Sequence, residues 1–328
     1  MGEHSLYGPV DPAPDAGYPD APARMGFFTD TSVCIGCKAC EVACKEWNAI
    51  PEDGLNLLGM SYDNTGSLSA NSWRHVAFIE QPQPVAPAGH PATGPIAAAE
   101  ASQPSRAATA AADRGAAGST EFLGMPGSTL PGAAADADRT DFRWLMMSDV
   151  CKHCSHAACL DVCPTGALFR TEFGTVVVQE DICNGCGYCI PACPYGVIDQ
   201  REDDGRAWKC TLCYDRIGDG LTPACAKACP TESIQYGPLA ELRDRAQQRV
   251  AALHESGQPA ARLYGADPAD GVGGDGAFFL LLDEPEVYGL PPDPVVTTRD
   301  LPAMWRRAGL AALTMAAAVA AAFAGSRS

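Results

Sequence analysis

Sixteen cysteines fall into four groups of four in this 328-residue chain, and none is left over. They are Cys34, Cys37, Cys40 and Cys44; Cys151, Cys154, Cys159 and Cys163; Cys183, Cys186, Cys189 and Cys193; and Cys210, Cys213, Cys225 and Cys229. Groups one and three read Cys-x2-Cys-x2-Cys-x3-Cys, and every group closes with Cys-x3-Cys. A [4Fe–4S] cube takes four thiolates, one per iron, so sixteen suit four cubes without remainder. Short Cys-x2-Cys loops wrap three corners of a cube and turn backbone N–H groups toward its sulfurs, which raises the reduction potential. Four redox centres in one chain imply a conductor of electrons. Two other chemistries use paired cysteines and stay open. Disulfides explain an even count; a zinc-stabilised scaffold explains the Cys-x2-Cys pairs, but not the recurrent x3-Cys or the proline after it. Pro164, Pro194 and Pro230 follow groups two, three and four, whereas Lys45 follows the first.

Other side chains near the cysteines are read as support. His153 and His156 lie inside the second group and are expected to make hydrogen bonds or face solvent rather than bind metal. Lys38, Lys45, Lys152, Lys209 and Lys227 lie within or beside the groups and are expected to offset cluster charge. Trp47 is a candidate to pack against the first cube. There is no glycine-rich nucleotide loop, nucleophile motif or credible acid–base pair, so the chain is expected to be non-catalytic.

Composition sets the frame for these groups. Charged residues are 19% and aromatics 7%, while Gly (33) and Pro (27) are abundant, which leaves few large core-forming side chains. Cysteine-dense folds of this kind make up the deficit by binding metal, so cluster insertion and folding are expected to be coupled. A net charge of −17 argues against nucleic acid, whose phosphates call for Lys and Arg. Met1 to Arg24 has neither an apolar run nor paired arginines, so no secretory signal is read there. Sixteen thiols then fit loading in a reducing cytosol.

The elements that must hold the groups follow from pattern. Residues 1–25 read as a disordered tail, and 26–80 carry a short strand at Gly26–Asp30 and the first group. Residues 81–138, rich in Ala, Pro, Gly, Ser and Thr, read as a low-complexity insert without a core. Residues 139–200 hold groups two and three, with a hairpin between them in which Ala167–Arg170 and Thr175–Gln179 flank a turn at Gly174. Residues 201–237 hold group four. In 238–303, Leu239, Leu242, Ala246, Val250 and Leu253 recur at helical spacing after Pro238, and Ala277–Leu282 reads as a buried strand. Residues 304–325 are expected to form a transmembrane helix: Ala308–Gly325 is free of charge, with Trp305, Arg306, Arg307 and Arg327 as interfacial anchors. Arg299, Arg306 and Arg307 before it place the clusters on the cytoplasmic face, although export with a partner stays open.

The stretch from Cys163-Pro-Thr-Gly-Ala-Leu to Asp181-Ile-Cys-Asn-Gly-Cys-Gly-Tyr-Cys189 resembles a bacterial dicluster ferredoxin. In such ferredoxins the fourth cysteine of one motif completes the other motif's cube. The resemblance implies that groups two and three pair and, by what remains, that groups one and four pair around them. The fold is thus expected to be α+β, two nested dicluster ferredoxin-like units with a long Ala/Pro-rich insert. Crossed ligation then implies four sets: Cys34, Cys37, Cys40 with Cys229; Cys44 with Cys210, Cys213, Cys225; Cys151, Cys154, Cys159 with Cys193; and Cys163 with Cys183, Cys186, Cys189.

The chain also resembles the four-cluster iron–sulfur (beta) subunits that accompany molybdopterin oxidoreductases, and among them that of membrane-bound respiratory formate dehydrogenase. The likeness covers about residues 26–80 and 142–325; it is carried by the order of the four groups, by Cys34-Ile-Gly-Cys-Lys-Ala-Cys-Glu-Val-Ala-Cys-Lys-Glu-Trp-Asn48, and by Tyr288-Gly-Leu-Pro-Pro292. The expected single C-terminal hydrophobic helix also resembles the formate dehydrogenase type. The resemblance implies four [4Fe–4S] clusters that relay electrons from a molybdenum- or tungsten-pterin catalytic subunit to a quinone-reactive membrane subunit. Service to a nickel–iron hydrogenase or to a dimethyl sulfoxide or polysulfide reductase stays open. Nitrate reductase subunits lose one ligand to Trp, and here all sixteen are present.

Overall fold

The computed structural model describes residues 16–53, 62–63, 65–84, 140–296, 298 and 300–325. The chain divides into two compact units, residues 1–79 with 144–328 and residues 80–143, and every cysteine belongs to the first. Among the described residues the order is β1 (Met25–Asp30), α1 (Ala39–Trp47), β2 (Arg74–Pro84), β3 (Thr140–Val150), α2 (Ala158–Asp161), β4 (Leu168–Arg170), β5 (Val176–Val178), α3 (Cys189–Ala192), β6 (Asp199–Gln200) and β7 (Ala207–Trp208). It continues with α4 (Tyr214–Gly218), α5 (Ala224–Ala228), β8 (Ile234–Pro238), α6 (Leu239–Glu255), β9 (Arg262–Tyr264), β10 (Ala277–Leu281) and α7 (Leu301–Gly325). Residues 85–139, most of the expected insert, lie outside the described residues.

One four-stranded sheet, in the order β8-β1-β10-β9, carries the fold. β1 runs parallel to β10, with Phe27 opposite Ala277, and antiparallel to β8. Side chains alternate between the faces of a strand, and here both faces are covered. Phe27, Ala277, Phe279 and Leu281 join one core with Cys40, Cys44, Cys151, Cys210 and Cys225. Phe28, Phe278 and Leu280 join a second core with Leu239, Leu242, Ala246 and Leu253 of α6. Because both faces are buried, β10 reads as a continuous apolar run, and Ala277 to Leu281 are each at most 1% exposed.

The sheet also fixes the cysteine loops. Asp30, at the end of β1, accepts from the Ser32 N–H and pairs with Arg249 of α6 at 2.9 Å, while the Thr31 hydroxyl donates to the Leu280 carbonyl. The loop into Cys34 is thereby pinned to the sheet. The segment after Cys151 lies along the approach to β10, through bonds from the Ala277 N–H to the Lys152 carbonyl and from the Ser155 N–H to the Gly274 carbonyl.

The expected hairpin forms as β4 and β5, with Leu168 opposite Val178 and Gly174 in the turn at φ 73°. The expected helix after Pro238 is α6, and the expected strands are β1 and β10. Residues 1–15 of the expected tail lie outside the described residues; Arg24 donates to the Ser155 hydroxyl at 2.6 Å and to the His153 carbonyl at 3.0 Å.

The C-terminal expectation is corrected. α7 forms over Leu301–Gly325, but among the described residues no helix is long and apolar enough to cross a membrane. The charge-free run Ala308–Gly325 has eighteen residues, ten of them weakly apolar Ala. At about 1.5 Å per residue it spans about 27 Å, against about 30 Å of hydrocarbon. Trp305, Arg306 and Arg307 belong to the helix itself and shorten its apolar part. The α+β description therefore stands without a transmembrane helix, and the single-pass placement with clusters on the cytoplasmic face falls with it.

Candidate iron–sulfur centres

In each group the third cysteine lies in a short helical segment, and the fourth follows one turn later. α1 carries Cys40 and Cys44, both buried. α2 carries Cys159, with Cys163 just beyond it; α3 begins at Cys189 and is capped by Cys193; α5 carries Cys225 and is capped by Cys229. α1 packs on α5, and α2 packs on α3. Group one therefore faces group four, and group two faces group three.

The facing groups leave cavities between them. One, with about 290 Å³ of space free of protein atoms, is lined by Cys34, Cys37, Cys40 and Cys229. Another, with about 380 Å³ of such space, part of it open to solvent, is lined by Cys151, Cys154, Cys159 and Cys193. In each case three thiols come from one group and the fourth from the facing group. Burial pushes the Cys44 thiol far up, Cys210 and Cys225 add to the rise, Arg74 opposes it, and Cys213 contributes last. Burial raises Cys189 to about 11, with Cys183, Cys186 and Cys163 adding to it. Among the described residues no three His, Cys, Asp or Glu side chains converge on a point fit for a single metal ion. The thiols instead ring a space, the arrangement suited to a cube that takes one thiolate per iron.

The loops supply N–H donors. The second residue after each group's first cysteine has positive φ: Gly36 (64°), His153 (47°), Gly185 (72°) and Leu212 (57°). This left-handed turn aims backbone N–H groups back at sulfur, as in an anion-binding nest. The Leu212 N–H donates to Cys210 Sγ at 3.3 Å, and the Ala207 N–H to Cys183 Sγ at 3.5 Å. At Cys34 burial raises the thiol, and the Gly36 N–H works against it.

Exposure differs among the expected sets. Cys44, Cys210, Cys213 and Cys225 are all buried, whereas Cys37 and Cys186 are exposed. Thiols of different expected sets also influence one another electrostatically. Burial raises Cys210 to about 12, with Cys151 the next contributor, and Cys159, also raised to about 12 chiefly by burial, feels Cys189.

Buried cations lie among these thiols. Lys152 and Lys209 are 1% and 2% exposed. Lys152 donates to the Val150 carbonyl at 3.0 Å, pairs with Asp149, and lies over the Tyr195 and Phe279 rings. Lys209 donates to the carbonyls of Val176 and Cys210. Both line the cavity of Cys151, Cys154, Cys159 and Cys193. The sequence singled out these two lysines but missed Arg74, which is 2% exposed and donates to Cys225 Sγ at 3.3 Å. A signal was present: Arg74, Val76 and Phe78 share strand parity, so the arginine points with apolar side chains.

The remaining expectations divide. Lys38 pairs with Glu41 at 3.3 Å, Lys45 donates to the Asn71 carbonyl, and Lys227 is exposed. Trp47 is 47% exposed; it donates to Asp215 and lies under Arg216, so it covers the outer surface instead of packing on thiols. His153 is buried, and its Nδ1 accepts from the Val176 N–H at 3.1 Å. Desolvation, reinforced by Lys209 and arginines, holds its pKa well below the usual value, so the ring is neutral with its proton on Nε2.

Loops of this kind in a mixed α/β scaffold define the ferredoxin class. A family model described as a 4Fe-4S dicluster domain matches residues 142–239, and a second with the same description matches residues 33–167. The chain is 35% identical over 283 residues to the formate dehydrogenase, nitrate-inducible, iron-sulfur subunit of Escherichia coli (strain K12), covering 85% of this chain and 76% of that protein. It is 35% identical over 318 residues to the formate dehydrogenase-O iron-sulfur subunit of the same strain, covering 95% and 85%. It is 30% identical over 222 residues to a subunit of that strain's anaerobic dimethyl sulfoxide reductase, covering 68% and 77%. The protein belongs to the family of formate dehydrogenase iron–sulfur subunits. Its cofactors are four [4Fe–4S] clusters, and its role is electron transfer.

Proposed function

We propose that this chain is the non-catalytic relay of an oxidoreductase complex, passing electrons singly from a molybdopterin catalytic subunit that oxidises formate to a quinone-reactive subunit. Bound clusters supply reversible one-electron carriage; the protein supplies spacing, N–H donors and burial. The proposed ligand sets are Cys34, Cys37, Cys40 and Cys229; Cys44, Cys210, Cys213 and Cys225; Cys151, Cys154, Cys159 and Cys193; and Cys163, Cys183, Cys186 and Cys189. What supports the first and third is the sharing of a single cavity by thiols from facing groups, and what supports the second and fourth is the mutual influence of Cys44 with Cys210, Cys225 and Cys213 and of Cys189 with Cys183, Cys186 and Cys163. In the order just given the sets form a succession, linked by the proximity of Cys40 to Cys225, Cys210 to Cys151 and Cys159 to Cys189. Its two ends hold the exposed thiols, Cys37 and Cys186, and are the proposed points of entry and exit.

Ligand substitution tests the sets in the anaerobically purified complex. Cys229→Ser should perturb the same electron paramagnetic resonance signal as Cys34→Ser, and Cys44→Ser a different one. If Cys229→Ser instead pairs with Cys44→Ser, the crossing is wrong. Metal content tests the partner. Molybdenum or tungsten together with formate-dependent reduction of the clusters is expected; nickel, or reoxidation by dimethyl sulfoxide without response to formate, moves the relay to another enzyme.

A further inference from the structure

We propose that Arg74 is a counter-ion shared by two clusters, its one guanidinium raising the reduction potentials of the centres held by Cys40 and by Cys225 together. The inference rests on the ligand sets proposed above, which assign these cysteines to different centres. The geometry is a fork. Nη2 donates to Cys225 Sγ at 3.3 Å. Nη1 donates to the Ser148 hydroxyl at 3.2 Å and the Ser148 carbonyl at 3.3 Å, and that hydroxyl lies 3.2 Å from Cys40 Sγ. One arm thus reaches one set directly, and the other reaches the neighbouring set through a single hydroxyl.

Nothing else accounts for a charge in this place. Arg74 is 2% exposed, and among the described residues no carboxylate lies within ion-pairing distance of it. Its Nε is buried without a partner among protein atoms, and its guanidinium carbon lies 5.0 Å from the centre of the Phe27 ring. An isolated buried cation is costly unless negative charge meets it. The sulfurs that act on it most strongly belong to both sets, in the order Cys225, Cys40, Cys210 and Cys44. A guanidinium stays protonated at any working pH. Its field in the interior escapes the screening that weakens surface charges. Because each electron added to either centre deepens the negative charge facing Arg74, the guanidinium favours the reduced form of both. A lysine ammonium is one point charge and does not serve both arms.

The test is a redox titration of the four centres in the anaerobically purified complex, followed by electron paramagnetic resonance, with iron and spin counts as controls. Arg74→Gln should lower two of the four midpoint potentials, each by at least about 59 mV, a tenfold shift for a one-electron couple. Those two must be the centres that Cys40→Ser and Cys225→Ser perturb separately. Arg74→Lys should hold one of the two nearer its original value than the other. A fully loaded Arg74→Gln complex in which neither or only one of these centres moves, or in which all four move alike, overturns the shared role. Perturbation of one and the same centre by Cys40→Ser and Cys225→Ser overturns the ligand sets, and the inference with them. If Arg74→Gln does not load four centres, Arg74→Lys decides. A fall in both centres, of about threefold or about 28 mV in the larger case, supports the proposal, and a fall in neither or in only one overturns it.

Discussion

Gly185 and Gly187 flank Cys186 in one loop, at φ 72° and 73°, yet their surroundings differ. A Cβ on Gly185 would stand 2.4 Å from the Gly205 carbonyl oxygen, whereas on Gly187 nothing comes closer than 3.7 Å. Left-handed backbone costs a non-glycine residue about 1–2 kcal/mol, and both substitutions incur that. Only Gly185→Ala also drives a side chain into backbone. We expect Gly187→Ala to retain all four clusters with a modest loss of stability, and Gly185→Ala to lose iron equivalent to one cluster. Iron and sulfide analysis of the two purified variants checks this; equal retention would contradict the steric argument. The same turn is occupied by His153 and Leu212 in groups two and four, so its geometry is kept even where glycine is not used.

At the scale of elements, the short helical segments do more than present cysteines. Four residues of helix rise about 6 Å, and Cys40 and Cys44 stand at the two ends of such a turn on α1. Under the proposed sets these two serve different centres, so helix geometry fixes how near neighbouring centres lie. α6 does a different job. Leu242, 1% exposed, packs with Phe28, Phe278 and Leu280 on the sheet face away from the cysteines. Leu242→Ala should cost about 2–5 kcal/mol and lower the thermal midpoint of the loaded protein without moving the cluster potentials. A shifted potential would mean that the two faces of the sheet are coupled. Much at this scale was legible in the sequence. The hairpin around Gly174, the helix after Pro238 and the apolar strand at Ala277 announce themselves through local pattern, which needs no tertiary knowledge. The role of Arg74 was not legible. Its partners Ser148 and Cys225 lie 74 and 151 residues away, and no local pattern encodes such a meeting. The C-terminal helix misled for the opposite reason: absence of charge is easily counted, but a run of alanines carries little hydrophobicity.

Over the whole molecule the distribution of charge is inverted. The chain carries a net charge of −17, yet Arg74, Lys152 and Lys209 are buried among the cysteines. Without clusters, burial holds Cys40 near 11 and Cys159 and Cys210 near 12, so these thiols stay neutral; Lys152 keeps its pair with Asp149, but Arg74 and Lys209 lie within ion-pairing distance of no carboxylate among the described residues. The native interior is therefore electrostatically complete only when iron and sulfide are bound, and cluster loss should be unfolding. Anaerobic removal of iron with a chelator and oxidant should abolish near-ultraviolet circular dichroism together with the visible absorbance. Both should return on reconstitution with iron and sulfide. An apoprotein that kept its near-ultraviolet signal would show that the sheet and its aromatic core stand without the metal.

The pairing of Phe27 with Ala277 also sets a clock. β1 leaves the ribosome 250 residues ahead of its parallel partner. At roughly 5–20 residues per second that wait lasts about 12–50 s. For most of that time the first cysteine group also lacks the facing thiols of group four, which end at Cys229, and β10 closes over it only later, so the earliest ligands to be synthesised are among the last to be enclosed.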